Sequence, residues 1–376
     1  MKKGWTYKKF VDCINKIPKQ RQVKSKDYLS SGLYPIVSQE KELISGYWND
    51  KDYLFKHDKP IIIFGDHTKE IKYIDFDFVV GADGTQILQP KDDIDSRFFY
   101  YALLATPIRS LGYARHFKLL KEKSFLIPKL TEQKKIVKRL DAAFAQIDEL
   151  KANAEKQLAE ARALFQKALA KAMEPKERWE EKTLKEITTK IGSGATPLGG
   201  RKVYISEGIS LVRSMNVHYN SFKYDELAHI NAEAADQLSG VELKQNDVLF
   251  NITGASIARC CVLPDEVMPA RVNQHVAIIR PITESVTPQF LCLCLISSDY
   301  QKELLQIGEA GSTRQALTKA DLENFKISLP SLSEQQRIVE RLDSISENVR
   351  KYEEIQQKII AECDALKQAL LRQVFE

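Results

Sequence analysis

The stretch LPSLSEQQRIVERLD (Leu329–Asp343) restates IPKLTEQKKIVKRLD (Ile127–Asp141), with nine of fifteen positions identical. A chain that starts the same helix twice has to fold as a two-part repeat. Proline lacks the N–H and clashes with the preceding turn, so Pro128 and Pro330 place each helix start just after themselves. Ser333 with Gln336 predicts a capping box on the second helix; Thr131 can cap the first, but Lys134 cannot close the box. Glu132 and Glu334 fall in the first turn, where a carboxylate suits the helix dipole. Behind the second copy, Ile338, Leu342, Ile345, Val349, Tyr352, Ile359, Cys363, Leu366 and Leu370 recur at heptad steps, interrupted only by Gln356. Behind the first, Ile136, Leu140, Ala143, Ile147, Leu150 and Ala154 keep the same register before the stripe drifts to Leu158, Phe165 and Leu169. At 1.5 Å per residue the first helix spans about 60 Å. The two stripes predict an antiparallel helix pair that acts as a stiff spacer.

The echo continues outside the helices. Trp5 parallels Trp179, ILQP (Ile87–Pro90) parallels IIRP (Ile278–Pro281), and Phe99 parallels Phe290. The order is kept while the offset widens, the mark of a duplication with diverged bodies. PIIIFGD, DVLFNITG, FDFVVGADG and ARVNQHVAIIRP read as strands, and SRFFYYALLATPIRSL and PQFLCLCLISSDYQKELL as short core helices. The expected fold is α/β (α+β): two bodies with curved, mostly antiparallel sheets, separated by two long antiparallel coiled-coil helices in a pseudo-twofold repeat. The expected boundaries are 1–126, 127–175, 176–328 and 329–376.

At 376 residues, 43% apolar and 28% charged, the chain can bury more than one core. Its net charge of +5 is uneven: residues 1–30 hold nine Lys or Arg against Asp12 and Asp27. A solvated basic arm accounts for this as well as a polyanion partner does. The start lacks an apolar signal core and no apolar run reaches membrane length, so a cytoplasmic protein without a membrane is expected. The six cysteines suit neither a disulfide framework nor a zinc site, and Cys292 and Cys294 read as small buried hydrophobes. There is no P-loop, no H-E-x-x-H, no G-x-S-x-G and no Pro-Pro, and Asp66 with His67 lacks a second carboxylate for a hydrolytic site. Catalysis is not expected.

What the bodies offer is polar side chains at strand ends and turns. In the first these are Gln39, His67, Thr68, Lys69, Thr85, Gln86, Arg115, His116 and Lys118. In the second they are Ser193, Thr196, Arg213, Ser214, Asn216, Thr253, Ser256, Arg259, Arg271, Asn273, Gln274, His275, Thr313 and Arg314. Asn and Gln pair bidentately with adenine, Arg and Lys with guanine O6 and N7. Alternate residues of ARVNQHVAIIRP face the core, so Gln274 or His275 can equally serve buried backbone, and Arg314 suits a phosphate contact better than a base contact.

The duplicated Pro-x-Leu-[Ser/Thr]-Glu-Gln unit, the helices after it, and the blocks RSMNV, NITGASIAR, VNQHVAIIRP and GSTRQAL resemble the specificity (S) subunit of type I restriction–modification systems. The resemblance implies a non-catalytic DNA-binding subunit whose two target recognition domains each read half of a bipartite, asymmetric double-stranded site. It implies that the helical regions dock two modification (methyltransferase) subunits, and that restriction (motor–nuclease) subunits join them. S-adenosylmethionine and ATP with Mg would bind those partners, leaving no cofactor on this chain. The second body carries the family-like turn GSGATPLGG, whereas the first has KIPKQRQVKSKDYLS there. That difference predicts that the loops of the two bodies do not map onto one another. A two-headed coiled-coil adaptor that binds only polypeptide is the alternative reading.

Overall fold

A computed structural model describes residues 4–112, 114–309 and 315–376. They divide into two units, Met1–Glu155 with Gln357–Glu376, and Lys156–Gln356. In the first, an antiparallel sheet runs in the order Ile14–Asn15, Thr85–Pro90, Ile61–Gly65, Ile71–Ile74. The second repeats that order with Thr188–Ser193, Val276–Pro281, Val248–Asn251 and Cys260–Val262. The strand frames of the two bodies therefore map onto one another, with Pro90 and Pro281 in equivalent places opposite Ile14 and Thr188.

Each unit adds a second sheet containing a parallel pair, Tyr34–Val37 with Phe78–Gly81 and Ile209–Val212 with Ala270–Val272. Parallel pairing needs a long crossover. In the first unit the chain between the paired strands includes the Ile61–Ile74 hairpin.

The central strand of each body reads as an unbroken apolar run because both faces are covered. Side chains alternate across a strand. Ile62 and Phe64 join the core with Phe98 and Phe99 of the Ser96–Ala105 helix, while Ile61 and Ile63 pack with Val37, Phe78 and Val80. In the second body Val248 and Phe250 meet Phe290 of the Pro288–Leu295 helix, and Leu249 meets Val212 and Val272. Cys292 and Cys294 are buried there as expected.

The long helices run Leu130–Met173 and Leu332–Phe375. Within the first unit Lys151 pairs with Asp364 at 2.7 Å and Asp148 with Lys367, so one helix ascends as the other descends. Within the second, Arg162 meets Glu353 at 2.9 Å and Gln157 meets Tyr352 at 2.9 Å, in the same antiparallel sense. Ile136, Leu140, Ile147, Ala154, Leu342 and Cys363 are buried, whereas Leu150, Leu164, Tyr352, Ile355 and Leu366 stay exposed. The apolar stripe is thus wider than the pair covers. Each body also packs against both helices. Ile136 and Leu140 join Leu371 in the first core, and Val339 and Leu342 join Leu169 and Met173 in the second.

The expected capping is corrected. The helices begin one residue before Thr131 and Ser333, and the first-turn N–H groups of Gln133 and Gln335 donate to Lys129 O and Ser331 O. Gln336 does not close a box, because its amide donates instead to Glu340 at 3.1 Å. The glutamine before it carries the structural role. Gln335 is fully buried; its Oε1 accepts from Thr287 N at 2.9 Å, and its Nε2 donates to Ser285 O and Pro330 O, both at 2.9 Å. Gln133 does the same with Asp95 N (2.7 Å), Asp93 O (3.0 Å) and Pro128 O (2.8 Å). Asp95 and Thr287 in turn cap the body helices that follow them. The repeated Glu-Gln motif thus ties each rod start to the body before it. Glu334 is held by Lys176 at 2.6 Å, which keeps its carboxyl below the usual range.

An ion pair with a buried carboxylate ties the Val276–Pro281 strand to the turn before Val248. Asp247 is fully buried and receives Arg280 Nε and Nη2 at 2.7 and 2.8 Å, plus Lys244 N at 2.7 Å. Arg280 keeps some solvent exposure and a bond to Glu242 O at 3.1 Å, so Asp247→Ala is expected to lower stability by about 1.5–3 kcal/mol, the range for a hydrogen bond to a charged group, measured by urea unfolding. A loss below about 1 kcal/mol would mean that solvent satisfies Arg280.

Candidate nucleic-acid interface

In the first body, Gly65 pairs with Thr85 at one end of the sheet, and the parallel Tyr34–Val37 and Phe78–Gly81 strands run together. The turns after these strands are knit together by Gln39. Its Oε1 accepts from His67 N at 3.0 Å and its backbone carbonyl accepts from Thr68 Oγ1 at 2.6 Å. A Cβ on Gly65 would fall 2.1 Å from Thr68 Oγ1, and one on Gly84 2.7 Å from Gln39 Oε1, so both turns need glycine for this approach. Beneath them Lys72 is buried, with Nζ donating to Ser38 O at 2.9 Å and to Glu42 O. Burial pushes its ammonium below its ordinary value, and these carbonyls fix the loop that bears Gln39.

Not every expected residue faces outward. His116 is fully buried; its Nδ1–H donates to Asp66 O at 3.0 Å and its Nε2 accepts from Leu111 N at 3.0 Å. Thr85 is buried with its hydroxyl on Gly81 O at 2.6 Å. Both serve backbone. Arg115 is exposed, 4.0 Å from buried Asp66, and Lys118 is exposed on the short Phe117–Lys121 helix. His67 and Gln86 are half-buried, Lys69 is half-buried in the left-handed region at φ 64°, and Thr68 is exposed.

In the second body the equivalent sheet end is the Asn251–Val276 pair. The turn before Val276 holds Asn273, Gln274 and His275, which correspond to Ala82, Asp83 and Gly84 of the first body. Thr85 and Gln86 correspond instead to the strand residues Val276 and Ala277. Thr196, Gln274, His275 and Thr253 form one hydrogen-bonded row, from Thr196 to Gln274, Gln274 to His275 at 3.1 Å, and His275 to Thr253 at 2.8 Å. Thr196 and Gln274 are exposed. Ser193 is exposed opposite Ala277, and half-buried Asn273 accepts from His275 N at 3.2 Å.

A second group lies on the Arg213–Asn216 turn. Asn216 is fully buried, accepting from Arg213 N at 3.0 Å and donating to Lys223 O at 2.9 Å, so it shapes the turn from inside. Arg213 is half-buried, donates to Glu226 O and lies 5.8 Å from the Tyr204 ring centroid. Arg259, half-buried, lies 5.8 Å from Tyr219, and half-buried Ser256 accepts from Arg259 N at 3.3 Å through its carbonyl. Half-buried Ser214 accepts from Asn251 Nδ2 at 2.9 Å through its carbonyl. Arg271 is buried against Ala235 O and Glu242 and belongs to the framework. Thr313 and Arg314 lie outside the described residues. Sequence reasoning missed Tyr204, Tyr219 and Lys72. The signal for Lys72 was a lysine at an inward place in the alternating strand IKYI.

Among the described residues no group of three or more His, Cys, Asp or Glu could hold a metal ion, and no helix is long and apolar enough to cross a membrane. The chain is 26% identical over 318 residues to the Escherichia coli type I restriction enzyme EcoBI specificity subunit, covering 76% of this chain and 66% of that one. It thus spans just under two thirds of that relative's length. It is 26% identical over 364 residues to the Escherichia coli EcoR124I/EcoR124II specificity subunit, covering 91% and 88%. A solved chain, described in work on complex assembly and conformational transition of the type I R-M system, shares the fold with a TM-score of 0.70. It is 20% identical, with 98% of this chain and 97% of that one covered. The family model for the type I restriction modification DNA specificity domain matches residues 2–160 and 176–361, and the chain belongs to that family.

Proposed function

We propose that this chain is the DNA-reading subunit of a type I restriction–modification complex, recognising a bipartite, asymmetric double-stranded site without catalysis of its own. Residues 1–126 and 176–328 are the two target recognition domains, and 127–175 and 329–376 the helical spacers between them. The observation that carries this reading is the identical strand order of the two bodies beneath different polar side chains at the same sheet end. Gln39, His67, Thr68 and Arg115 stand at one, and Thr196, Gln274 and Arg213 at the other. One frame with two side-chain sets is what two unlike half-sites require. On this reading the chain acts in the cytoplasm and directs two methyltransferase subunits and the restriction subunits to that site; those partners, and not this chain, bind S-adenosylmethionine, ATP and Mg. Docking is supported by the apolar residues left uncovered on the rods, including a groove of about 620 Å³ lined by Ala161, Leu164, Ile345, Val349 and Tyr352.

Selection from random duplex DNA by the purified complex tests this. A two-part motif with a fixed gap is expected. Exchanging residues 176–328 for those of a relative should then change one half of the motif alone. No enrichment with partners still bound would favour the polypeptide adaptor.

A further inference from the structure

We infer that Gln274 reads an adenine in the half-site of the second domain, and that Thr196 and His275 are positioning residues that hold its amide for that base. The inference rests on the DNA-recognition reading above. A glutamine amide carries two N–H donors and two lone pairs. Thr196 donates its hydroxyl to Oε1, which uses one lone pair. Nε2 donates to His275 Nε2 at 3.1 Å, which uses one N–H. That makes His275 Nε2 the acceptor, so the ring proton sits on Nδ1 and is donated to Thr253 Oγ1 at 2.8 Å. With the amide in this orientation, the direction of every bond in the row follows.

Both supports are themselves fixed. Ala195 N donates to Val272 O at 3.0 Å and Gly194 N to Val276 O at 2.9 Å, pinning the turn that carries Thr196. A Cβ on Gly194 would stand 2.0 Å from Val272 O, so only glycine lets the turn lie this close. Thr253 is paired with Ala316 across an isolated bridge.

What remains on the exposed amide is one acceptor and one donor. Adenine presents the matching N6–H donor and N7 acceptor in the major groove. Guanine presents two acceptors, N7 and O6, and the second N–H that it would need is already spent on His275. Cytosine and thymine each offer a single polar group to this amide.

The test uses the full-length chain in complex with methyltransferase subunits. Site selection should return an adenine at one position of one half-site, and Gln274→Ala should reduce that preference by about tenfold or more while other positions hold. His275→Phe keeps a ring but removes the acceptor, and should admit guanine at that position only. Replacing the selected adenine by 7-deazaadenine, which lacks N7, should weaken wild-type binding by a similar factor and leave Gln274→Ala unaffected. Two results would overturn the assignment: an adenine preference that survives Gln274→Ala, or full wild-type binding to the 7-deaza duplex. A uniform loss across all positions in His275→Phe would reduce His275 to a structural residue. If the wild-type complex enriches no motif at all, the DNA-recognition reading fails first.

Discussion

Gln335→Leu is expected to destabilise the second unit by at least about 3 kcal/mol, because it strands three backbone groups bonded to a buried side chain, at roughly 1–3 kcal/mol each. Those groups are Thr287 N, Ser285 O and Pro330 O, all at 2.9 Å from the fully buried amide. Leucine has similar bulk, so the loss isolates hydrogen bonding from packing. The neighbouring Gln336→Leu is the control. Gln336 is exposed and bonds only one helical turn ahead, to Glu340, a contact worth about 0.2–0.5 kcal/mol. Urea unfolding of the two variants separates them, and equal small losses would show that the amide is not a staple. Gln133→Leu should behave like Gln335→Leu in the first unit, since Gln133 makes the same three contacts.

This pair of glutamines also marks how far the sequence could be read. Their identity in both copies was plain, but their role was not, because their partners lie near Asp93–Asp95 and Ser285–Thr287, some forty to fifty residues upstream. Local spacing pointed to Ser333 and Gln336 instead. The antiparallel rods were legible because heptad periodicity is a local property. The parallel strand pairs were not, since Val37 pairs with Val80 across a long connection that contains the Ile61–Ile74 hairpin. At the interface, residue type picked out the turns but not their orientation. His116, Asn216 and Thr85 look like readers in the sequence, yet each is buried on backbone. A turn residue's polarity says that it needs a partner, and only the packed structure says whether that partner is internal.

A matched insertion of seven residues into both rods, after Glu155 and after Gln356, is expected to widen the gap in the recognised site by about three base pairs. Seven residues add about 10.5 Å of helix, against 3.4 Å per base pair of duplex. The length matters: a full heptad returns the apolar stripe to within about 20° of its register, whereas four residues in one rod alone would slide it out of phase. The seam on each side of the insertion then keeps its own pins, Asp148–Lys367 and Lys151–Asp364 in the first unit and Arg162–Glu353 in the second. Affinity for the original site should fall by about 2–5 kcal/mol, roughly half of a typical specific increment, because only one half-site can then be engaged at a time. Affinity should return on a duplex with three added central pairs. A motif whose gap is unchanged in a folded variant would show that something other than rod length sets the spacing, and the spacer role of the helices would have to be abandoned.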